Sequence, residues 1–352
     1  MKLNIARVAA ATDQKWREVW RECASSTYFH SPEWARIWEF YGRGTIRPEA
    51  QLIVFSDGAE ALLPWCFETK AGGLLSRYAS STQGTYGGWI SSKPLTLAHG
   101  LCLVDWLTRG RRNLVWRLNP YDQLAFRAGV TRHLRCKHDE THALRLEGNA
   151  DLVLDGFKSS YRSQIKKALK TAQFSIAPAT SLEDWRAYFE VYRDSLTRWG
   201  DEPEAGYSWR LFEFLFRLNS PDVKLWLARH EGKVVSGDIC LYASKHVAYW
   251  HGATLKDYLR TSVAKLLKFE EIKDSTRRGY DWFDFNPSAG LAGVKFFKEG
   301  FNAEVLPAPI VYVDTPFKRI VRTCAASVNL QYANVSLRPM HEVRPAPPAP
   351  SP

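Results

Sequence analysis

The chain has 352 residues, of which 45% are hydrophobic and 13% aromatic, and a formal charge of +11 at pH 7. That length and apolar content suit two domains of ordinary size, each with its own core, and argue against a disordered scaffold. The charge implies attraction to something anionic, whether nucleic acid, a phosphorylated carrier or cofactor, or a membrane surface, without choosing among them.

No run approaches the length of a membrane span, and the first residues lack the apolar core of a signal peptide. A cytoplasmic protein is expected, with peripheral membrane contact left open. Cys23, Cys66, Cys102, Cys136, Cys240 and Cys324 are dispersed, with no Cys-x-x-Cys pair, which favours reduced thiols.

Asp13 to Cys23 read as a helix, and Ser31 can cap a short aromatic helix opened by Pro32. The apolar runs Leu52 to Phe55 and Ala61 to Phe67 flank Asp57-Gly58 and predict a hairpin. A glycine-rich stretch, Thr82 to Trp89, leads to a helix from about Leu95 to Thr108. A strand over Asn113 to Leu118, a helix near Pro120 and a strand over Ala143 to Glu147 close the first half. In the second half YRSQIKKALKTA, Trp185 to Trp199 and Trp209 to Leu218 read as helices. Lys224 to Ala228 and Val234 to Tyr242 pair around Glu231-Gly232, and His246 to Ala253 extends the meander. Ser262 to Arg278 form a helix with an apolar stripe of Val263, Leu266, Phe269 and Ile272. A strand over Asp281 to Phe285, a helix carrying Phe296, Phe297 and Lys298, and a strand over Ile310 to Asp314 complete the order.

Each half therefore reads hairpin, helix, strand, helix, strand. Two related α/β domains are expected, residues 1–147 and 148–320, each with a mixed, mainly antiparallel sheet flanked by helices. Residues 321–352, ending in RPAPPAPSP, read as a disordered proline-rich tail. The strand–helix–strand–helix of residues 246–301 is a crossover unit, and the active site is expected outside the carboxyl ends of its strands.

Several residues are candidates for chemistry. Lys158, Arg162, Lys166 and Lys170 recur four apart as one cationic ridge, either a solvated face or a phosphate site at the junction of the halves. Lys298 follows the crossover strand, where a cation can stabilise an oxyanion or a diphosphate; the bland alternative is a surface lysine paired with Glu299 or Glu304. Asp284 and Asn286 end that strand. Asp238 is a lone acid in an apolar strand, read first as hydrogen-bonded at a bulge beside Gly237 and second as a base. Tyr249 and His251 are expected on one strand face, with Trp250 opposite, and His251 can act as a base near neutral pH. His133, Cys136, His138 and His142 match no zinc spacing, and no metal site is expected. P-loop, GxGxxG, HExxH and GxSxG motifs are missing, which counts against the mechanisms they serve.

With these features in place, the chain resembles the Fem/CelD-like acyltransferases, a twin-domain branch of the GNAT acetyltransferase superfamily, over most of residues 14 to 315. The resemblance is carried by HSPEWARIW with Tyr41-Gly42, by YGG at Tyr86 to Gly88, by YRSQIKKALK, and by RGYDWFDFNPS followed by GVKFFKEGF. It implies two tandem GNAT-like domains and transfer of an acyl or aminoacyl group to an amine. Acyl-CoA, or else aminoacyl-tRNA, would be the co-substrate, with no permanently bound cofactor. Arg162, with Tyr161 and Lys166, would hold phosphates. Lys298, after Phe297, would sit by the donor, the acyl carbonyl near Tyr249, and Asp284 or His251 would take the proton. Arg260, Thr261 and Ser262 stand where the superfamily binds a diphosphate with helix-start amides. Trp38 and Tyr86 would face the acceptor, expected to be a small-molecule or lipid-linked amine of cell-envelope or polysaccharide metabolism. The alternatives are an aminoacyl-tRNA-dependent Fem-type ligase, with tRNA as partner, and a non-catalytic nucleic-acid or anionic-surface module.

Overall fold

The computed structural model describes residues 3–70, 73, 75–109, 113–198, 206–288 and 290–314, so the proline-rich tail lies outside the described residues. The chain divides into two units. One comprises the residues up to Glu140 together with the return from Leu306; the other is Thr141–Val305.

The first unit begins with β1 (Ile5–Ala10), α1 (Asp13–Glu22), α2 (Pro32–Gly42), β2 (Ile46–Pro48), β3 (Gln51–Phe55), β4 (Glu60–Leu63) and β5 (Trp65–Lys70). It continues through β6 (Leu75–Ser80), β7 (Tyr86–Gly87), α3 (Leu97–Arg109), β8 (Leu114–Leu118), α4 (Gln123–Arg127), α5 (Val130–His133) and β9 (Arg135–Lys137). Local chemistry sets the starts and turns. The hydroxyls of Thr12 and Ser31 accept the amides of Lys15 and Trp34 and so start α1 and α2. Gly58, at φ +85°, closes the β3–β4 hairpin.

The second unit holds β10 (Glu140–Arg145), α6 (Ser159–Thr171), β11 (Ser175–Pro178), α7 (Leu182–Arg198), α8 (Trp209–Leu218), β12 (Val223–His230), β13 (Lys233–Tyr242) and β14 (His246–Thr254). Then come α9 (Val263–Arg277), β15 (Trp282–Pro287), α10 (Ala292–Glu299) and β16 (Glu304–Pro307), and β17 (Ile310–Val313) returns to the first unit. The seven-stranded sheet here runs β11-β12-β13-β14-β15-β10-β16, with β14 and β15 parallel. In the first unit a small β1-β3-β4 sheet accompanies a larger one ordered β2-β5-β6-β8-β17-β9, in which β6 and β8 are parallel.

Two strands do not belong where the order of elements suggested. The strand expected to close the first half is β10, and it pairs antiparallel with β15 in the second unit's sheet. The last strand, β17, pairs with β8 and β9 and buries Val311 and Val313 beside Leu114 and Trp116 in the first unit's core. Apolar alternation says that a strand will be half-buried. It does not name the sheet edge that takes it.

The α1–α2 connection is pinned by tryptophans. Trp16 Nε1 donates to the His30 carbonyl at 2.7 Å, and Trp20 Nε1 to that of Thr27 at 2.9 Å. His30 Nδ1 accepts the Thr27 amide at 3.1 Å, so a proton on that nitrogen would break the loop. Burial pushes the His30 pKa down to about 4. An unfolded chain takes up this proton at about 6.5, so the stability His30 contributes is full above that pH and is lost as the pH falls toward 4. The loss reaches about 3 kcal/mol. His30→Gln is expected to flatten the fall in melting temperature between pH 6.5 and 4.5; parallel wild-type and variant curves over that range would show that His30 does not set it.

Candidate active site

β14 and β15 pair only at their beginnings, His246 with Trp282, Val247 with Phe283 and Ala248 with Asp284, and no ladder joins them further on. On its other side β14 carries a bulge. Cys240 of β13 stands opposite Tyr249 and Ile239 opposite His251, which leaves Trp250 as the extra residue. One inserted residue flips the alternation of everything beyond it. Tyr249 and His251, expected on one face, therefore lie on opposite faces. The His251 ring packs against Tyr192 of α7 and Phe212 of α8, and its Nδ1 bonds the Tyr188 hydroxyl at 2.6 Å. At 4% exposure it is a core residue on the face away from Tyr249, which removes it from the role of base.

Asn286 spans the gap where the two strands part. Its backbone is left-handed at φ +59°, its Nδ2 donates to the Tyr249 carbonyl at 2.6 Å, and its amide donates to Asp284 Oδ1 at 2.7 Å. Its own carbonyl accepts the ammonium of Lys298. Asp284 Oδ1 also accepts the Thr141 hydroxyl at 2.7 Å. Asp284 and Lys298 are 1% and 2% exposed, so both brace Asn286 from within. The structure thus brings Asp284, Asn286 and Lys298 together around the opened strands. Lys298 is not the surface lysine of the bland reading.

A cavity of about 180 Å³ lies along the outer half of β14, lined among others by Tyr249, Gly252, Leu259, Ala264 of α9 and Phe297 of α10. Asp238 and Lys268 also line it. The Lys268 ammonium donates to Asp238 Oδ2 and, at 2.9 Å, to Glu271 Oε2, and it stands 3.5 Å from the centre of the Tyr249 ring. Lys268, Asp238 and Glu271 are 1%, 5% and 0% exposed. Burial alone would lower the lysine pKa, but the Asp238 and Glu271 carboxylates outweigh it and raise the value. Burial, and then the neighbouring Asp238 charge, push the Glu271 carboxyl well above its ordinary range against the pull of Lys268. Asp238 is therefore an ion-pair partner, not an acid at a bulge beside Gly237. Lys268 and Glu271 carry no motif. Their one signal is a lysine and a glutamate three apart within the apolar stripe of α9, and it acquires meaning only beside a lone aspartate in a buried strand.

The remaining candidates are placed as follows. Arg260 is exposed, and Thr261 and Ser262 are half-buried at the start of α9, where the Thr261 hydroxyl donates to the Tyr258 carbonyl and accepts the Val263 amide. Arg162 Nη1 donates to the carbonyls of Asp155 at 2.8 Å and Phe157 at 3.4 Å, so it ties α6 to the preceding turn. Lys158, Lys166, Lys167 and Lys170 are exposed. Tyr161 is 6% exposed and packs on Phe297 and Phe301; a Cβ on Gly300 would stand 2.2 Å from its ring. In the first unit Trp38 and Tyr86 are 1% and 0% exposed and packed edge-on against Trp34 and Phe29. Their expected contact with an acceptor gives way to a packing role, because an aromatic run reads alike for core and binding surface. Among the described residues no group of three His, Cys, Asp or Glu could hold a metal ion, and no helix is long and apolar enough to cross a membrane.

Residues 156–299 match the family model of an acetyltransferase (GNAT) domain. The crystal structure of FemX is similar over 90% of this chain and 99% of its own, with a TM-score of 0.68 at 11% identity. Residues 156–299 are thus a GNAT acetyltransferase domain, and the chain as a whole shares the fold of FemX. Two further structures share the fold of this acyltransferase. One is the C-terminal domain of a protein assigned as lysylphosphatidylglycerol synthetase from Agrobacterium fabrum, with a TM-score of 0.55 and 10% identity over 90% of this chain and 97% of that one. The other is L-PGS from Bacillus licheniformis, with a TM-score of 0.52 and 12% identity over 85% and 96%. At such identities the similarity speaks for the fold alone. By sequence, no curated protein matches the acyltransferase.

Proposed function

We propose that this acyltransferase moves an acyl group from a coenzyme A thioester to a primary amine of a small or lipid-linked acceptor of envelope or polysaccharide metabolism. The observation that carries the reading is the opening between β14 and β15 beside a cavity lined by Tyr249, Gly252 and Phe297. The acyl end lies in that cavity, and the rest of the donor leaves past Arg260, Thr261 and Ser262. The neutral amine attacks the carbonyl carbon, the C–N bond forms as the C–S bond breaks, and the amine proton ends on the departing thiolate. Asn286, braced by Asp284 and Lys298, keeps the gap open while this happens. A donor of this class is a cytoplasmic metabolite, which sets the protein in the cytoplasm with its acceptor free or at the membrane surface.

A second donor reading, aminoacyl-tRNA, draws on the exposed lysines of α6. Equilibrium dialysis separates the two. Coenzyme A and acetyl-CoA are expected to bind in the micromolar range with a shallow dependence on salt. Tight binding of tRNA that collapses between 50 and 200 mM salt, with no binding of coenzyme A, would transfer the donor role to the nucleic acid.

A further inference from the structure

We propose that the cavity selects short acyl groups that carry a hydrogen-bond donor near the thioester, a hydroxyl or an amine, over plain alkyl and carboxyl-bearing ones. This rests on the placement of the acyl end given above. Size sets the first limit. About 180 Å³ holds roughly six groups of the size of a water molecule, which suits a chain of about four carbons.

The charged wall sets the second. An ammonium has three hydrogens, and those of Lys268 have three destinations: Asp238 Oδ2, Glu271 Oε2 and the face of the Tyr249 ring. Lys268 therefore has no hydrogen left for an incoming group. Asp238 has an acceptor left, its Oδ1. That atom lies beside Gly252, where a Cβ would come within 2.1 Å of it and within 2.2 Å of the Tyr249 hydroxyl. The bare glycine lets these two polar atoms pack against the strand at this point, and Asp238, Tyr249 and Gly252 all line the cavity.

A methylene chain filling the space strips Asp238 Oδ1 of water and returns nothing, which lowers affinity by roughly tenfold or more for each buried group left unsatisfied. A carboxylate meets Asp238 with the Lys268 ammonium already shared between two carboxyls. A hydroxyl or amine on the third carbon donates to Oδ1 and keeps the cluster satisfied.

The test is the binding of coenzyme A and four thioesters of matched length (butyryl, 3-hydroxybutyryl, 3-aminobutyryl and succinyl) to the full chain, by calorimetry at constant pH. The hydroxy or amino thioester, or both, is expected to bind at least tenfold tighter than butyryl, with succinyl weakest. The two arms distinguish a hydroxyl from an amine. Asp238→Asn leaves Lys268 paired with Glu271 and turns an amide N–H toward the cavity, so succinyl is expected to gain on the amino thioester by tenfold or more. Butyryl equal to or tighter than both donor-bearing thioesters, or succinyl tightest on the native chain, overturns the proposal whether or not the variant folds. Binding of coenzyme A with a flat acyl series sinks this selectivity alone. Failure of coenzyme A and every thioester to bind sinks the donor reading and this inference with it.

Discussion

Lys268→Met is expected to destabilise the second unit by about 3–5 kcal/mol, the usual cost of removing one partner from a buried ion pair. The substitution keeps the length and apolar stem of the side chain, so packing between α9 and β13 changes little. What it removes is the ammonium that pairs with two carboxyls that are 5% and 0% exposed. Without the ammonium, the largely buried Asp238 and Glu271 face each other unneutralised, and at least one must take up a proton to stay folded. The pH dependence follows from that. A carboxyl whose folded pKa is raised stabilises the fold below its unfolded value, about 4.3, and loses that stability as the pH rises through the folded value. The deficit of the variant against the wild type is therefore expected to shrink as the pH is lowered from 8 to 5. Adding Glu271→Gln removes one of the stranded charges and is expected to restore about half of the lost stability. Hydrogen exchange of α9 and β13 amides, read peptide by peptide, measures this without assuming that both units unfold together. A loss below 1 kcal/mol at pH 8 would mean that the three groups are not coupled as the geometry shows.

Much of the fold is legible in the chain because it is local. Asp57-Gly58 and Glu231-Gly232 mark their hairpins, Ser31-Pro32 marks the start of α2, and Gly279, at φ +75°, follows the end of α9. Each depends on a few adjacent residues whose backbone preferences agree with the final structure. The grouping of Asp284, Asn286 and Lys298 was legible, since they follow one another around the end of β15. The arrangement of the residues about them was not. The bulge at Trp250 is a backbone event with no side-chain signature, yet it decides which of Tyr249 and His251 faces the cavity. Asp238 and Lys268 are thirty residues apart, and only the packing of α9 on β13 makes them a pair. The exchange of β10 and β17 between the sheets is of the same kind, set by which edges are open rather than by what the strands contain.

Lys298→Ala is expected to lower turnover by about a hundredfold while costing only about 1–2 kcal/mol of stability. The asymmetry comes from what Lys298 holds. Its ammonium satisfies the Asn286 carbonyl, and Asn286, in a left-handed conformation, reaches across to the Tyr249 carbonyl at 2.6 Å. With the ammonium gone, one half-buried carbonyl turns to solvent at small cost, but Asn286 is free to relax out of φ +59° and the separation of β14 from β15 is no longer fixed. A shift of about 1 Å in the groups that seat the thioester carbonyl suffices for the loss in rate. Thiol release from the best-bound thioester, with hydroxylamine standing in for the acceptor amine, gives kcat and KM separately. Asn286→Ala breaks the same connection one residue further on. If Lys298 acts through Asn286, the two variants should lose kcat to within about threefold of each other, and the double variant should be no worse than either. If Lys298 instead touches the developing oxyanion, its removal must cost far more than that of Asn286, and the losses must multiply in the double variant. A Lys298→Ala protein with wild-type kcat would leave the opening between the strands without a part in the chemistry.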